Sequence, residues 1–128
     1  MDTFEIEEPV RWLLEFDRAR DQVRNSRNVW FNDRYHIAFG DIDGDHDLDA
    51  AALVVWEYGA TGWEQRLYVM KNNGNERWQI AAWECTARKL EPETFADEVA
   101  ISNRHVVLKG GQNGVWEYSL HRGKLVQK

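Results

Sequence analysis

HIAFGDIDGDHDLDAAALVVW occupies residues 36–56 and holds two apolar runs on either side of an acidic loop. Residues 51–56 are continuously apolar, which is typical of a central strand that is buried on both faces. Residues 36–39 form a shorter run before the loop. The stretch therefore predicts two strands that are joined by the loop at residues 41–49.

Short apolar runs continue through the rest of the chain, with turn residues between them. The Asn-Gly pair at residues 73–74 tolerates positive φ and is typical of a tight hairpin. Hairpin turns are also predicted at residues 102–104, 110–114 and 122–123. Because no helical pattern separates these runs, they predict a mainly antiparallel β-sheet of seven to eight strands. The further strands are predicted at residues 66–70, 78–83, 98–101, 105–108, 115–120 and 124–126, with a short candidate at 29–31.

The N-terminal segment has the pattern of a helix. Pro9 suits a first helical position, and Val10, Leu13 and Leu14 recur at helical spacing. We therefore predict an α+β fold, in which one N-terminal helix at about residues 9–24 packs on the antiparallel sheet. The β region spans about residues 29–127, and the whole chain, residues 1–128, forms a single domain.

Composition excludes several classes of protein. Of the 128 residues, 43% are hydrophobic and 30% are charged, a balance that excludes wholesale disorder and a membrane-spanning chain. The net charge of −6 disfavours nucleic acid as a partner, because phosphate binding needs a concentrated positive surface. The single cysteine, Cys85, excludes an intramolecular disulfide and a cysteine-based zinc site.

The N-terminus lacks the features of a secretory signal. Its first eight residues are acidic where a signal peptide would be basic, and no apolar segment follows them. This pattern predicts a cytoplasmic protein. A secreted or periplasmic protein whose signal peptide had been removed would begin in the same way.

The acidic loop, residues 41–49, has the spacing of a calcium site. Its five carboxylates alternate along the chain at Asp41, Asp43, Asp45, Asp47 and Asp49. Calcium prefers six to eight hard oxygen ligands, and a loop with ligands at alternate positions can wrap around it. Asp41, Asp43 and Asp45 supply side chains in this interpretation, Asp47 supplies its carbonyl, and Asp49 closes the site from the other side. The alternative is a solvated acidic turn that binds no ion.

The loop is not an EF-hand, because that motif requires Gly at position six and an acidic ligand at position twelve. Counted from Asp41, these positions hold His46 and Ala52. The stretch instead resembles the FG-GAP (integrin-α-like, VCBS-type) calcium loop, D-x-D-G-D-x-x-x-D, over about residues 36–74. The resemblance implies calcium coordination by Asp41, Asp43, Asp45 and Asp49, with Asp47 binding through its carbonyl. A single copy of the motif does not imply the propeller that several copies build.

Seven tryptophans are spread along the chain, and most of them are expected in the core. Strict alternation along residues 78–83 predicts that Trp78 and Trp83 point to opposite faces of the sheet. Trp63 lies in a predicted turn and is expected to be exposed. Trp63 and Tyr58 are the candidate partner-binding residues, because exposed Trp and Tyr often anchor protein partners.

The sequence predicts a non-enzymatic protein, since it holds no nucleophile elbow and no phosphate-binding glycine loop. The leading hypothesis is a calcium-binding β-domain in which Ca²⁺ orders the acidic loop and so presents a surface to a protein partner. The alternative is a small acidic inhibitor or immunity-type protein that binds a basic protein partner without metal. A tryptophan-lined carbohydrate-binding module ranks third.

Overall fold

Two antiparallel sheets make up the described fold. The computed structural model describes residues 9–10, 30–31, 35–44, 48–57, 62–72, 78–111 and 114–127. The first sheet has the order β1-β3-β4-β5, with β2 also paired to β3, and the second sheet has the order β6-β7-β8-β9. The strands are β1 (Trp30–Phe31), β2 (His36–Gly40), β3 (Asp49–Glu57), β4 (Trp63–Asn72), β5 (Trp78–Arg88), β6 (Ala96–Ser102), β7 (His105–Gly110), β8 (Val115–His121) and β9 (Lys124–Gln127).

Strand β3 is the centre of the first sheet and is buried on both faces, as its apolar run predicted. Ala51 and Leu53 point into the core between the two sheets, where they meet Val106 and Leu108 of β7. Val54 and Trp56 point to the opposite face, where they form a second cluster with Val10. All six of these side chains and that of Val10 are 0–1% exposed. Continuous apolarity along β3 is therefore explained by its two covered faces.

The prediction of an α+β fold is wrong. The inner face of the first sheet is covered by the second sheet, because β6 to β9 alternate apolar residues inward and form a layer of their own. Within the described ranges, helical conformation is limited to Pro9 and Val10 and to a 3-10 turn at Pro92–Thr94. The rest of the predicted helix, residues 11–24, lies outside the described residues. None of the described helical segments is long and apolar enough to cross a membrane.

The hairpin turns predicted at residues 102–104 and 122–123 are confirmed in the second sheet, whereas the turn predicted at residues 73–74 lies outside the described residues. Asn103 and Arg104 adopt positive φ of 51° and 63° between β6 and β7. Arg122 and Gly123 adopt positive φ of 51° and 77° between β8 and β9. Backbone of this handedness matches the twist of two-residue hairpins.

A β-bulge corrects the prediction for Trp78 and Trp83. In the β4–β5 pairing Met70 opposes Ile80, whereas Val69 opposes Ala82, so Ala81 is an extra residue on β5. The extra residue shifts the alternation, as a bulge does. Trp83 consequently contacts the ring of Tyr68, with centroids 6.2 Å apart. Tyr68 and Trp78 belong to the same cluster, so both tryptophans lie on one face.

Buried Gln65 of β4 joins the two sheets by polar contacts. Its side chain is 1% exposed, and its amide nitrogen donates a hydrogen bond to the carbonyl of Ala96, at 2.8 Å. Its Oε1 accepts hydrogen bonds from the Ala96 amide, at 3.0 Å, and from the Thr86 hydroxyl, at 2.8 Å. One side chain therefore satisfies both backbone groups of the residue that begins β6.

Replacing Gln65 with leucine is expected to lower the free energy of unfolding by about 2–4 kcal/mol, because Ala96 and Thr86 would lose their buried partners. Urea unfolding followed by circular dichroism measures this change. Gln127→Leu, at an exposed glutamine of the edge strand β9, is the matched control and is expected to change stability by less than about 0.5 kcal/mol. Equal effects of the two variants would contradict the assigned role of Gln65.

Candidate metal centre

The acidic loop connects β2 to β3 and begins with a tight turn. Asp41 Oδ1 accepts a hydrogen bond from the amide of Gly44, at 2.7 Å. Gly44 has a φ of +81°, a conformation that glycine adopts without the steric penalty of a side chain. Asp45, His46 and Asp47 lie outside the described residues. The turn directs the carboxylates at residues 41 and 43 toward the start of β3.

Three of the predicted calcium ligands converge in space. Asp41, Asp43 and Asp49 each offer a carboxylate oxygen, and these oxygens lie within 4.8 Å of one another. Two oxygens bound to one Ca²⁺ at about 2.3–2.6 Å are separated by at most about 5 Å. The three carboxylates thus stand at a spacing that one calcium ion can bridge.

Asp49 is the fixed member of this group. Its side chain is 0% exposed at the first position of β3, where it pairs with Gly40 at the end of β2. Its Oδ2 accepts a hydrogen bond from the Ile42 amide, at 3.2 Å, and its Oδ1 accepts a longer one from the Asn72 amide, at 3.4 Å. The backbone therefore orients this carboxylate before any ion binds.

Two basic side chains lie against the same loop. The ammonium of Lys71, near the end of β4, forms an ion pair with Oδ2 of Asp43. The guanidinium of Arg104 comes from the β6–β7 turn and lies so close to Gly44 that a Cβ at this glycine would stand 2.8 Å from Arg104 Cζ. Both cations reduce the mutual repulsion of the carboxylates. The loop is therefore in contact with one basic side chain from each sheet.

Sequence reasoning missed Lys71, Asn72 and Arg104. The predicted β3–β4 pairing carried a signal for the first two, because it brings the end of β4 beside the start of β3. Arg104 is more than 50 residues away from the loop in sequence, and its approach depends on how the two sheets pack.

The predicted partner-binding residues have different positions. Trp63 is half-buried at the start of β4, and its ring packs edge-on against Phe95, with centroids 5.5 Å apart. Tyr58 lies outside the described residues. A role for either residue in partner binding stays a prediction.

A second polar cluster surrounds Arg66 of β4, and its members compensate the positive charge of the guanidinium. Arg66 is 6% exposed and donates to Glu64 Oε2, at 2.5 Å, and to the Tyr68 hydroxyl, at 3.1 Å. The guanidinium also lies 4.4 Å from the ring centroid of Trp83, within the range of a cation–π contact. Burial by itself lowers the pKa of Arg66, whereas Tyr68 and Glu64 together raise it by a larger amount. The pKa of Arg66 therefore lies above the ordinary value for arginine. The arginine stays charged, and these contacts give it a structural role.

Comparisons of the chain with protein-family models, with curated proteins and with solved structures find no match. The functional interpretation therefore depends on the geometry and chemistry of the chain itself.

Replacing Asp49 with alanine is expected to destabilise the metal-free protein by about 2 kcal/mol, because two backbone amides would lose a buried acceptor. Asp43→Ala is the control at a more exposed position of the same loop, and its expected effect is less than about 1 kcal/mol, since its ion pair with Lys71 lies at a partly exposed site. Urea unfolding in excess chelator measures both changes. A larger effect at Asp43 than at Asp49 would contradict the assigned positions of the two carboxylates.

Proposed function

We propose that this protein is a non-enzymatic calcium-binding β-domain that acts as a protein-interaction module. The observation that carries the proposal is the convergence of Asp41, Asp43 and Asp49, with ligand oxygens within 4.8 Å of one another. The burial and backbone anchoring of Asp49 support it, since they hold one ligand in place before the ion arrives. The resemblance of the loop to the FG-GAP pattern gives independent support from the sequence.

The proposed ligand set is larger than the three carboxylates that the structure describes. Calcium takes six to eight oxygen ligands, and three monodentate carboxylates supply half of the smaller number. The resemblance assigns two further ligands, the side chain of Asp45 and the carbonyl of Asp47. Bidentate carboxylates and water complete such sites in general.

Lys71 compensates the charge of the loop when no ion is bound. Its ammonium neutralises Asp43, the most exposed of the three converging carboxylates. A divalent cation between the carboxylates supplies more positive charge at shorter range, so calcium binding would weaken this ion pair. The side chain of Lys71 is about one-third exposed, which leaves it room to move into solvent.

The loop is flanked by apolar side chains that are exposed, as an interaction surface requires. Leu48, next to Asp49, is 54% exposed, and Phe39, next to Gly40, is 42% exposed. An ion bound to Asp41, Asp43 and Asp49 would hold the intervening backbone and so fix the position of Leu48, whereas Phe39 is already held in strand β2. Apolar residues that are held rigidly are good anchors for a partner, because little side-chain entropy is lost on binding.

The calcium affinity bears on where the domain works. Extracellular calcium modules bind with dissociation constants of about 10⁻⁴–10⁻³ M, and a site of that strength is empty at resting cytosolic calcium. We propose that a weak site indicates a secreted or periplasmic location, and that a tight site is compatible with the cytoplasmic location predicted from the N-terminus.

Calcium is expected to raise the melting temperature of the protein. At a free concentration 100 times the dissociation constant, calcium adds about 2.7 kcal/mol, or roughly 5–10 °C for a domain of this size. Differential scanning calorimetry in millimolar calcium and in excess chelator measures the change. The increase should disappear in Asp43→Ala and persist in the matched control Glu98→Gln, which removes one exposed negative charge from β6.

Identical melting curves in calcium and in chelator would contradict the calcium proposal. They would favour the alternative of an acidic inhibitor that binds a basic protein without metal.

A further inference from the structure

A cleft of about 500 Å³ lies at the end of the second sheet that is remote from the acidic loop. Its walls come from the 3-10 turn, the start of β6, the end of β7 and the start of β8. The lining includes Pro92, Glu93, Phe95, Asp97, Gly110 and Trp116. Its volume is within the range of small-molecule and side-chain binding sites, about 300–1,000 Å³.

Two aromatic rings of the cleft are held in place by their neighbours. The six-membered ring of Trp116 lies directly against Gly110 and Gly114, where an added Cβ would stand only 2.8 Å and 2.7 Å from its atoms. The Gly110 amide donates to the Gly114 carbonyl, at 2.9 Å, which closes the turn beneath the ring. The ring of Phe95 packs edge-on against the ring of Trp63. The aromatic walls are therefore preorganised.

The polar lining of the cleft is acidic. Glu93 and Asp97 are both exposed, and the Asp97 carboxylate reaches Gly111, where an added Cβ would stand 3.2 Å from Oδ2. Among the residues that the structure describes, those lining the cleft include no lysine or arginine. Within the described part of the chain, no ion pair joins either carboxylate to a basic side chain. The cleft thus combines negative charge with aromatic surface.

This combination suits one class of ligand. A guanidinium or ammonium group is attracted to the face of an aromatic ring and forms charge-assisted hydrogen bonds with carboxylates. A neutral ligand would use the rings but would leave the two charges without a counterpart. The net charge of −6 would further favour encounter with a basic surface.

We infer that the cleft binds an arginine or lysine side chain of a basic protein segment. The inference rests on the interaction-module part of the proposed function and names the class of its partner. It does not depend on calcium, because the cleft and the acidic loop lie at opposite ends of the β6–β7 hairpin. Strand β6 has seven residues, so the two ends are about 20 Å apart.

The test is an NMR titration of the ¹⁵N-labelled chain with the peptide acetyl-GRRG-amide, in calcium and in excess chelator. The control peptide carries citrulline, which has the shape of arginine but no charge. The expected result is a shift of the Trp116 indole signal and of the Gly110 and Gly111 amide signals with the arginine peptide alone, in both buffers. The indole signal is assigned by its loss in Trp116→Phe.

The charge requirement is tested with matched variants of neighbouring residues on β6. Asp97→Asn should weaken arginine-peptide binding about tenfold, because it removes a charge-assisted partner. Glu98→Gln makes the same change of net charge at an exposed residue that does not line the cleft, and it should leave binding within about twofold. The amide spectrum of each variant is recorded first, and it should be unchanged away from the substituted residue, which shows that the fold is retained.

Three results would overturn the inference: no shift with the arginine peptide, equal shifts with the citrulline peptide, or equal weakening in the two variants. A shift of the same signals by cellohexaose in place of the arginine peptide would also overturn it and would identify a sugar site. The calcium proposal is tested separately, by the melting temperature. If that proposal fails, binding of the arginine peptide in chelator is still expected.

Discussion

The buried carboxylate of Asp49 is the constraint around which this end of the molecule is arranged. An ionised group without solvent is stable only where hydrogen bonds or opposite charges replace its hydration. The amides of Ile42 and Asn72 provide two such contacts, one from the loop before β3 and one from the end of β4. One side chain at the start of β3 thus bonds both to the beginning of the loop and to the end of β4. A cation at Asp41 and Asp43 would therefore bind beside a carboxylate that the backbone already holds in position.

The two sheets are joined at several places by different kinds of interaction. Apolar packing fills the space between them, with Leu53 and Leu67 on one side and Val106 and Leu108 on the other. Gln65 adds directional hydrogen bonds to the start of β6. Arg104, at the other end of β6, lies against the turn of the acidic loop. Order in the loop and the packing of the sheets are therefore expected to depend on each other.

Much of the strand pattern could be predicted from local sequence, because alternation and turn chemistry are local properties. The central position of β3 followed from its continuous apolar run, and the turns at residues 103–104 and 122–123 followed from their composition. Asp41, Asp43 and Asp49 were predicted as metal ligands from their spacing, and the structure brings their carboxylates together. The division into two sheets was not predictable in this way, since it depends on contacts between residues distant in sequence. Gln65 illustrates the difficulty, because its partner Ala96 is 31 residues away.

The most direct test of the account is a calcium titration of the ¹⁵N-labelled protein, followed residue by residue in amide spectra. The account predicts one-to-one saturable shifts of Ile42, Gly44 and Asn72, whose amides hydrogen-bond to the converging carboxylates. The amides of the distant β8–β9 hairpin should stay unchanged. Spectra of the acidic loop that are identical with and without millimolar calcium would contradict the central claim that these three aspartates form a calcium site.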